Sequence, residues 1–575
     1  MLFMQHIGPV AGLAAHGPLV ASAGYDNRLI VWDAASRTAL ARASHDHLVN
    51  ACDFSHDGRW LVSASSDYSA RVWALPELRL TAVLGGHGDD VDMARFSPDD
   101  TLIATCALDR LVRVFTASGK LVHTMAGHTG NVLSLAWANN RRFVTTSVDG
   151  TLREWDATTG SCVWVTQLGM RSDCVVIAAD GTIIAGDDKG RIALVGADGA
   201  PRFVAAHRAG IKKLVLAGDG RRLVTLGYDR AIGVWDMAGG APQLLGMGDL
   251  PAPIWARAAA VLADGRVAVG TFGGTYALFD PASGAWDLAG VAAGPAINAL
   301  AVAGGQVLTL GDDGVLRADG RRRAALGSLC NFLAEAGGRL FAGGHLGELY
   351  DGQSGAVLYR HHAPLNCAVG FARGGVPHLA VGTYTGEILV FALAGPPQLV
   401  RKLAAHGNAI KGLAVGDGAL FSVSANTDIA WHDAASLAET RRIPRAHSRI
   451  ANGCVALADG GFASIGRDRM LRLWPASGPE AAWHTPHPNS VKALAASACG
   501  RYLVSGSYGG TVVLFDRQQA RFGPLLTISK AGISALCAAA DGGFLAADYA
   551  GAVHDLPLAA LLGMAPARAP QACAA

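Results

Sequence analysis

The chain has 575 residues, of which 51% are hydrophobic, 16% are charged and 73 are glycine. This length predicts about two to four domains, and the apolar content excludes a disordered or low-complexity chain. Because the net charge is only +2 and no run of about 18 apolar residues occurs, we expect neither a nucleic-acid partner nor a membrane-spanning segment.

The cysteines and the first residues bear on the compartment. The 10 cysteines form no C-x-x-C pair, so the sequence predicts neither a zinc site nor a redox dithiol. Residues 1–15 lack a positively charged region and are interrupted by Gly8 and Pro9, which argues against a secretory signal. We therefore expect a soluble cytoplasmic protein that needs no cofactor.

A repeated unit runs along the chain. Its clearest copy has Gly127-His128, strand-like segments at 131–137 and 142–147, and Asp149-Gly150 leading into 152–156. Three alternating segments in so short a stretch indicate strands rather than a helix. In five copies the histidine precedes the aspartate by 20 to 22 residues, and the aspartate precedes the tryptophan by 6. These copies contain His6, Asp26 and Trp32; His45, Asp67 and Trp73; His128, Asp149 and Trp155; His207, Asp229 and Trp235; and His447, Asp468 and Trp474.

The aspartate position can be followed in chain order through fourteen units. Twelve of the thirteen steps are 40 to 44 residues, and the exception is a step of 31 residues between Asp313 and Gly344. A repeat of this period predicts stacked copies of one supersecondary unit. The residues at this position are Asp26, Asp67, Asp109, Asp149, Lys189, Asp229, Gly273, Asp313, Gly344, Thr385, Asn426, Asp468, Gly509 and Ala550.

This order of signals resembles the WD40-repeat family, whose unit is a four-stranded antiparallel blade and whose fold is a β-propeller. The resemblance covers essentially residues 1–560 and implies an all-β fold of two seven-bladed β-propellers in tandem. We place the first propeller at residues 1–286, the second at 287–560 and a C-terminal tail at 561–575. By the same resemblance, Leu2–Gln5 forms the outermost strand of the seventh blade, and Trp286–Ala289 serves the second ring.

In that family the histidine, a strand serine or threonine, the aspartate and the tryptophan form a hydrogen-bonded network within a blade. Gly24, Gly227 and Gly466 stand at the expected serine position of units 1, 6 and 12, so we expect at most three members there. Because the pattern recurs once per blade, we interpret it as structural rather than catalytic or metal-binding. The full sets are His45, Ser65, Asp67 and Trp73, and His128, Ser147, Asp149 and Trp155; the partial sets include His207, Asp229 and Trp235, and His447, Asp468 and Trp474.

No standard catalytic signature occurs in the sequence. The histidine pairs His45/His47, His361/His362 and His484/His487 are each a weak signal for zinc, and surface loops are favoured over zinc sites. The densest basic cluster outside a hairpin turn is the best candidate for binding an acidic ligand. It consists of Arg441, Arg442 and Arg445.

The position one residue before the repeated aspartate collects aromatic side chains. In the family this position lies on the rim that contacts partners, and tyrosine, tryptophan and arginine dominate binding hot spots. The alternative is that these aromatic residues pack against the next blade at strand ends. The candidates for partner binding are Tyr25, Tyr228, Phe272, Tyr384, Arg467, Tyr508 and Tyr549.

The resemblance implies a non-enzymatic scaffold that mediates protein–protein interactions and complex assembly through the propeller faces. Its expected partners are other proteins or peptides, and the oligomeric state stays open. Two alternatives remain at this stage. One is a propeller-based hydrolase or lactonase with a metal in the central channel, and the other is a module that binds a small ligand or a modified peptide.

Overall fold

The computed structural model describes residues 4–217, 220–239 and 241–564. The chain divides into two compact units, Met1–Gly294 and Pro295–Ala575. Both units consist almost entirely of antiparallel strands joined by tight turns. Glycine supplies the left-handed conformation that such turns require, as at Gly150 with a φ of 76°. The predicted all-β class is therefore confirmed.

The first unit contains seven four-stranded antiparallel sheets, the blades, and each blade follows chain order from its first to its fourth strand. The strands are, in blade 1, β1 Val10–His16, β2 Leu19–Gly24, β3 Arg28–Asp33 and β4 Ala39–Ser44; in blade 2, β5 Val49–Phe54, β6 Trp60–Ser65, β7 Ala70–Ala74 and β8 Arg79–Leu84; in blade 3, β9 Val91–Phe96, β10 Leu102–Ala107, β11 Val112–Thr116 and β12 Leu121–Met125; in blade 4, β13 Val132–Trp137, β14 Arg142–Ser147, β15 Thr151–Asp156 and β16 Ser161–Gln167; in blade 5, β17 Ser172–Ile177, β18 Ile183–Asp187, β19 Arg191–Val195 and β20 Pro201–Ala205; in blade 6, β21 Ile211–Leu216, β22 Arg222–Gly227, β23 Ala231–Asp236 and β24 Gln243–Asp249; and in blade 7, β25 Ile254–Val261, β26 Val267–Thr271, β27 Ala277–Phe279 and β28 Trp286–Asp287.

The seven blades of the first unit close into a ring. Successive first strands pack against each other, and β1 packs against β25, so blade 1 follows blade 7. Side chains alternate between the two faces of a strand, and those facing the next blade form the cores. At the closure, Trp32 of blade 1 meets Tyr276 of blade 7 edge to face, with 6.1 Å between ring centroids. The unit is a seven-bladed β-propeller.

The closure differs from the expectation that residues 2–5 supply the outermost strand of blade 7. Leu2 and Phe3 lie outside the described residues, and the outermost strand is Trp286–Asp287, which pairs with β27. Trp286 packs on Phe279 with 4.9 Å between ring centroids, and the Arg37 guanidinium of blade 1 donates to the Ala289 carbonyl at 2.8 Å. These contacts hold the segment in the first ring, so its assignment to the second ring is wrong.

The second unit also contains seven blades. The strands are, in blade 8, β29 Ile297–Ala303, β30 Gln306–Gly311, β31 Val315–Ala318 and β32 Arg321–Ala325; in blade 9, β33 Cys330–Ala336, β34 Arg339–Gly344, β35 Glu348–Asp351 and β36 Val357–Arg360; in blade 10, β37 Leu365–Arg373, β38 Val376–Thr383, β39 Glu387–Ala392 and β40 Gln398–Ala404; in blade 11, β41 Ile410–Gly416, β42 Ala419–Ser424, β43 Ile429–Asp433 and β44 Glu439–Ile443; in blade 12, β45 Ala451–Ala456, β46 Phe462–Gly466, β47 Met470–Trp474 and β48 Ala481–His484; in blade 13, β49 Val491–Ala496, β50 Tyr502–Ser507, β51 Thr511–Asp516, β52 Arg521–Phe522 and β53 Leu526–Thr527; and in blade 14, β54 Ile533–Ala538, β55 Phe544–Asp548 and β56 Val553–Leu556, followed by the helix α1 Leu558–Leu561.

The second ring closes where β29 packs against β54, and it too is a seven-bladed β-propeller. The fourth strand of blade 13 is interrupted, because β52 and β53 pair with opposite ends of β51. Blade 14 has three strands among the described residues, and α1 follows its last strand and buries Leu561 in the neighbouring core. Within the described part of the chain, no helix has the length and hydrophobicity needed to cross a bilayer.

The turn between second and third strands locates the repeat position in each blade. In blade 8, Asp313 lies two residues after β30 ends, and the same count from the end of β34 in blade 9 gives Leu346 rather than Gly344. The step between these two blades is still short. One reason is that β31 has only 4 residues, and only Asp319 and Gly320 separate it from β32.

Candidate functional site

The recurring polar residues form a directional chain of hydrogen bonds inside each complete blade. In blade 2, His45 Nδ1 lies 2.8 Å from Asp67, His45 Nε2 lies 2.7 Å from Ser63 Oγ, and Trp73 Nε1 donates to Ser63 Oγ at 2.8 Å. Because indole can only donate and an ionised carboxylate can only accept, the protons run from indole to hydroxyl to imidazole to carboxylate. Every polar atom of this chain has a partner within the blade.

The hydroxyl of this network lies two residues earlier than the sequence predicts. Ser65, on the same face of β6, instead donates to the Leu48 carbonyl at 2.8 Å, while Ser63 meets His45. In blade 4 the hydroxyl is likewise that of Thr145 rather than Ser147, which accepts from the Asp149 amide. The histidine ring bridges the turn and the strand. Its Nδ1 meets the carboxylate at the turn, and its Nε2 meets a hydroxyl deeper in the blade.

The prediction that units 1, 6 and 12 lack a hydroxyl is also wrong. The glycines at Gly24, Gly227 and Gly466 are not the network position, and each of these blades has the hydroxyl two residues earlier. All three networks therefore have four members, and histidine-to-hydroxyl distances are 2.7 to 2.8 Å. The sets are His6, Ser22, Asp26 and Trp32; His207, Thr225, Asp229 and Trp235; and His447, Ser464, Asp468 and Trp474.

Three further histidines bond to a strand hydroxyl in blades that have no tryptophan at the network position. His87 lies 2.9 Å from Thr105, His406 lies 2.8 Å from Ser422, and His487 lies 3.0 Å from Ser505. Burial lowers the pKa of these imidazoles to about 4 for His87, about 3 for His406 and about 4 for His487. The three histidines are therefore neutral and buried at neutral pH.

We expect these three histidines to make the protein acid-sensitive. Their pKa in an unfolded chain is about 6.5, so between that pH and the folded value the unfolded state binds more protons, and stability falls as pH falls. From pH 6.5 to 5 the loss is about 2 kcal/mol for each histidine. Urea denaturation at several pH values measures it, and His87→Gln should reduce the slope. Equal stability at pH 7 and pH 5 would refute this explanation.

The rim candidates lie where second strands end and first strands begin, which we call the entry edge of each ring. Here the residue before the repeat position donates its amide to a carbonyl just before the first strand of its own blade, at 2.8 to 3.0 Å. These bonds fix the direction of its side chain. The residues are Tyr25, Tyr228, Phe272, Tyr384, Arg467, Tyr508 and Tyr549.

A second position at the entry edge was missed from the sequence. The first strand of nearly every blade has a β-bulge after its first residue, and the bulged residue lies at the edge, beside the ring centre. In blades 6, 11 and 13 this residue is Lys212, Lys411 and Lys492. The signal in the sequence is a polar residue one place after the first buried residue of these strands.

In the first ring the entry edge combines aromatic and charged side chains. Tyr25 and Trp255, from blades 1 and 7, meet edge to face with 5.1 Å between ring centroids, and the Arg257 guanidinium lies 5.7 Å from the Tyr25 ring. Arg257 also pairs with Asp92 at 3.1 Å. Phe272 packs behind Trp255 and is only 6% exposed, so of the predicted residues it is the one a partner cannot reach.

Blades 5 and 6 add a buried ion-pair cluster to this edge. Lys212 Nζ lies 2.5 Å from Asp173 and 2.8 Å from Asp188, and Arg171 Nε lies 2.7 Å from Asp173. Burial opposes ionisation of Asp173, but Arg171 and Lys212 hold its pKa below the usual range. Lys212 Nζ also lies 4.3 Å from the Tyr228 ring. Each of these cations is thus neutralised by carboxylates.

The entry edge of the second ring also brings tyrosine rings close to cationic side chains. Tyr508 and Tyr549 stack with 5.9 Å between ring centroids, and the Arg467 guanidinium lies 5.9 Å from the Tyr508 ring. On blades 10 and 11, Lys411 Nζ lies 4.8 Å from the Tyr384 ring. The structure therefore places the predicted tyrosines of both rings next to cations.

Among the residues that the structure describes, one group of side chains could hold a divalent metal ion. His361, His362 and Glu387 offer one ligand atom each, and these atoms lie within 4.8 Å of one another. His361 is already bonded, since Nε2 lies 3.1 Å from Glu387 and Nδ1 accepts from the Ala363 amide at 3.1 Å. Here the carboxylate meets Nε2, not the Nδ1 that faces it in the blade networks, and both ring nitrogens of His361 have partners without a metal.

The other basic and histidine clusters are engaged within the second ring. Arg441 pairs with Glu480 and Arg442 with Glu439, while the Arg445 amide donates to Asp428 at 2.9 Å. Two of the three arginine side chains, those of Arg441 and Arg442, are therefore compensated by glutamates. In the last histidine pair, His484 Nδ1 bonds the Thr485 carbonyl at 2.9 Å and His487 belongs to its blade network.

Comparison with known proteins places this geometry in context. The family model for WD40 (WD domain, G-beta repeat) matches residues 40–74, 78–116, 119–156 and 482–516. A guanine nucleotide-binding protein subunit beta-like protein of Encephalitozoon cuniculi is 24% identical over 253 residues, which cover 37% of this chain and 75% of that protein. The mouse F-box-like/WD repeat-containing protein TBL1X is 31% identical over 137 residues, covering 21% of this chain and 26% of the relative. The crystal structure of the WD40 β-propeller domain of Doa1 has a TM-score of 0.41 and 21% identity, and covers 46% of this chain and 90% of that one.

Proposed function

The chain is a WD40-repeat protein, and from this premise we propose that it is a non-enzymatic cytoplasmic scaffold that binds other proteins or peptides. The entry edges of its two propellers serve as the binding faces. Neither nucleic acid nor a membrane is a partner in this proposal. One relative, 30% identical over 116 residues and matched over 15% of its length, is named a transcriptional corepressor of Arabidopsis thaliana, a regulatory role of that protein.

The observation that supports the proposal best is the cluster around Trp255 in the first ring. Tyr25, Trp255 and Arg257 are the residue types that dominate binding hot spots, and they meet across the junction of blades 7 and 1. Meanwhile, the blade histidines, aspartates and tryptophans are tied up in hydrogen bonds inside their blades. The entry edge thus offers binding chemistry, and the blade interiors offer none.

The proposal predicts that changes at the entry edge weaken partner capture. We expect Tyr25→Ala combined with Trp255→Ala to reduce a captured partner at least tenfold, because truncating one hot-spot residue costs about 2 kcal/mol or more. The measurement is affinity capture from a lysate of the source organism with isotope-coded mass spectrometry. The control is Arg59→Ala in the hairpin at the opposite end of blade 2, where the side chain is 77% exposed. Capture that is the same with all three proteins would reject the entry edge of the first ring as the binding face.

Two other functions give different results in simple assays. A propeller hydrolase or lactonase with a channel metal would carry a stoichiometric metal in elemental analysis. A module for a small ligand or modified peptide would show a thermal shift with that ligand alone. In the scaffold proposal, partner capture needs neither a metal nor a small molecule.

A further inference from the structure

The second ring carries two lysines at its entry edge for which residues 241–564 show no ion pair with a carboxylate. Lys411 and Lys492 occupy the same bulge position in blades 11 and 13, and Arg467 projects from the turn of blade 12 between them. From this arrangement we propose that the entry edge of blades 10–14 binds an anionic side chain of a partner peptide, either a carboxylate or a phosphate. This inference deepens the proposed function and rests on it.

The lysine at the equivalent bulge position of the first ring has carboxylate partners that the lysines of the second ring lack among residues 241–564. Lys212 forms ion pairs with Asp173 and Asp188. Within residues 241–564, the structure shows no ion pair from Lys411 or Lys492 to a carboxylate, and the Lys411 ammonium instead lies 4.8 Å from the Tyr384 ring. The fold therefore places two half-buried ammonium groups near each other, without an ion pair to a carboxylate in this range.

The behaviour of neighbouring ionisable groups supports this description. Burial, followed by the nearby charge of Lys492, lowers the pKa of Lys411 to about 8. Although burial raises the pKa of Tyr508, the charges of Lys492, Arg467 and Lys411 together hold it below its usual value. Three cations thus act on the same tyrosine, so an anion bound beside Tyr508 would interact with all of them.

One acid on this edge is a weak competitor for the lysines. Asp312 of blade 8 occupies the position before the repeat residue, and Asn298 donates to its carboxylate at 2.8 Å. Burial raises the pKa of Asp312 to about 7, so it is about half protonated at neutral pH. It therefore contributes only part of one negative charge, against the two lysines.

The size and surroundings of the cationic cluster favour a peptide over a nucleic acid. A nucleic-acid backbone is bound by basic residues spread over many phosphates. Here the cations are confined to blades 11–13 and are flanked by Tyr384 on one side and by the stacked Tyr508 and Tyr549 on the other. An anionic side chain between aromatic surfaces fits this pattern, with the tyrosines contacting the apolar parts of the same peptide.

The test uses the full-length protein and fluorescent peptides that differ at one central residue, which is phosphoserine, glutamate or serine. Isothermal titration with inorganic phosphate gives the affinity for the anion alone. Anisotropy should show binding of the phosphoserine or glutamate peptide at least tenfold tighter than of the serine peptide. Lys411→Met combined with Lys492→Met should abolish this preference, and Lys402→Met on the exposed outer strand β40 is the matched control.

The double variant also distinguishes a loss of binding from a loss of folding. Because the two lysines repel each other, the double variant should unfold at the same or a higher temperature than the natural protein, so lost binding cannot be ascribed to unfolding. Equal affinity for the three peptides, or unchanged preference in the double variant, overturns the proposal. Tighter binding of a single-stranded RNA of similar length also overturns it. In either case, partner capture that depends on Tyr25 and Trp255 would leave the proposed scaffold function standing.

Discussion

Replacing Asp173 with asparagine is expected to lower the free energy of unfolding of the first propeller by about 3 kcal/mol. Asp173 bonds both Lys212 and Arg171, and the Lys212 side chain is 6% exposed. Removing one partner of a buried pair leaves charge without compensation, which costs about 3 to 5 kcal/mol. The low end applies here, because Lys212 keeps Asp188 at 2.8 Å. Native-state hydrogen exchange on peptides from β17 and β21 measures the loss.

The matched control for this prediction lies in the same blade. Asp198 and Arg202 form an exposed pair at 3.5 Å, so Asp198→Asn should change stability by less than about 0.5 kcal/mol. Adding Lys212→Met to Asp173→Asn should recover part of the loss, because the uncompensated ammonium is then gone. If Asp173→Asn and Asp198→Asn have equal effects, the cluster does not stabilise the ring.

Much of the architecture could be predicted from the spacing of a few residues. His128, Asp149 and Trp155 keep fixed intervals because each belongs to a turn or strand of constant length, so the repeat predicted the blades and their number. The serine position was misjudged because Ser65 and Ser63 lie on the same face of β6. Which of the two hydroxyls bonds the histidine depends on how far the imidazole ring extends into the blade, and the sequence does not show this.

Ring closure and the entry edge depended on information that the linear sequence does not carry. The hydrophobic pattern around Trp286 is compatible with a strand in either ring. In the structure Trp286 packs on Phe279, which places it in the first ring. The sequence placed tyrosines at the edge, but it did not show that Lys212 and Lys411 lie beside them. Their position follows from a bulge, and the ion pairs that distinguish Lys212 from Lys411 come from carboxylates contributed by other strands.

A second large effect is expected from Thr145→Val in blade 4. The Thr145 hydroxyl accepts from Trp155 Nε1 at 2.8 Å and lies 2.8 Å from His128 Nε2. Valine keeps the shape of the side chain but leaves both nitrogen atoms buried without a partner. Each unpaired buried group costs about 1 to 3 kcal/mol, so we expect a loss of about 2 to 4 kcal/mol.

The adjacent residue provides the control. Thr146 is as deeply buried as Thr145, and among the described residues its hydroxyl has no hydrogen-bond partner. Thr146→Val therefore removes a polar atom that makes no bond. It should leave stability unchanged or raise it slightly.

The recurring imidazole, hydroxyl, carboxylate and indole groups hold the blades together, and their hydrogen bonds within the blades leave them no role in chemistry. The most direct measurement is the free energy of unfolding of Thr145→Val and Thr146→Val, determined side by side by urea denaturation. A loss of at least about 2 kcal/mol for Thr145→Val, with none for Thr146→Val, is the predicted result. Equal values for the two variants would contradict the account.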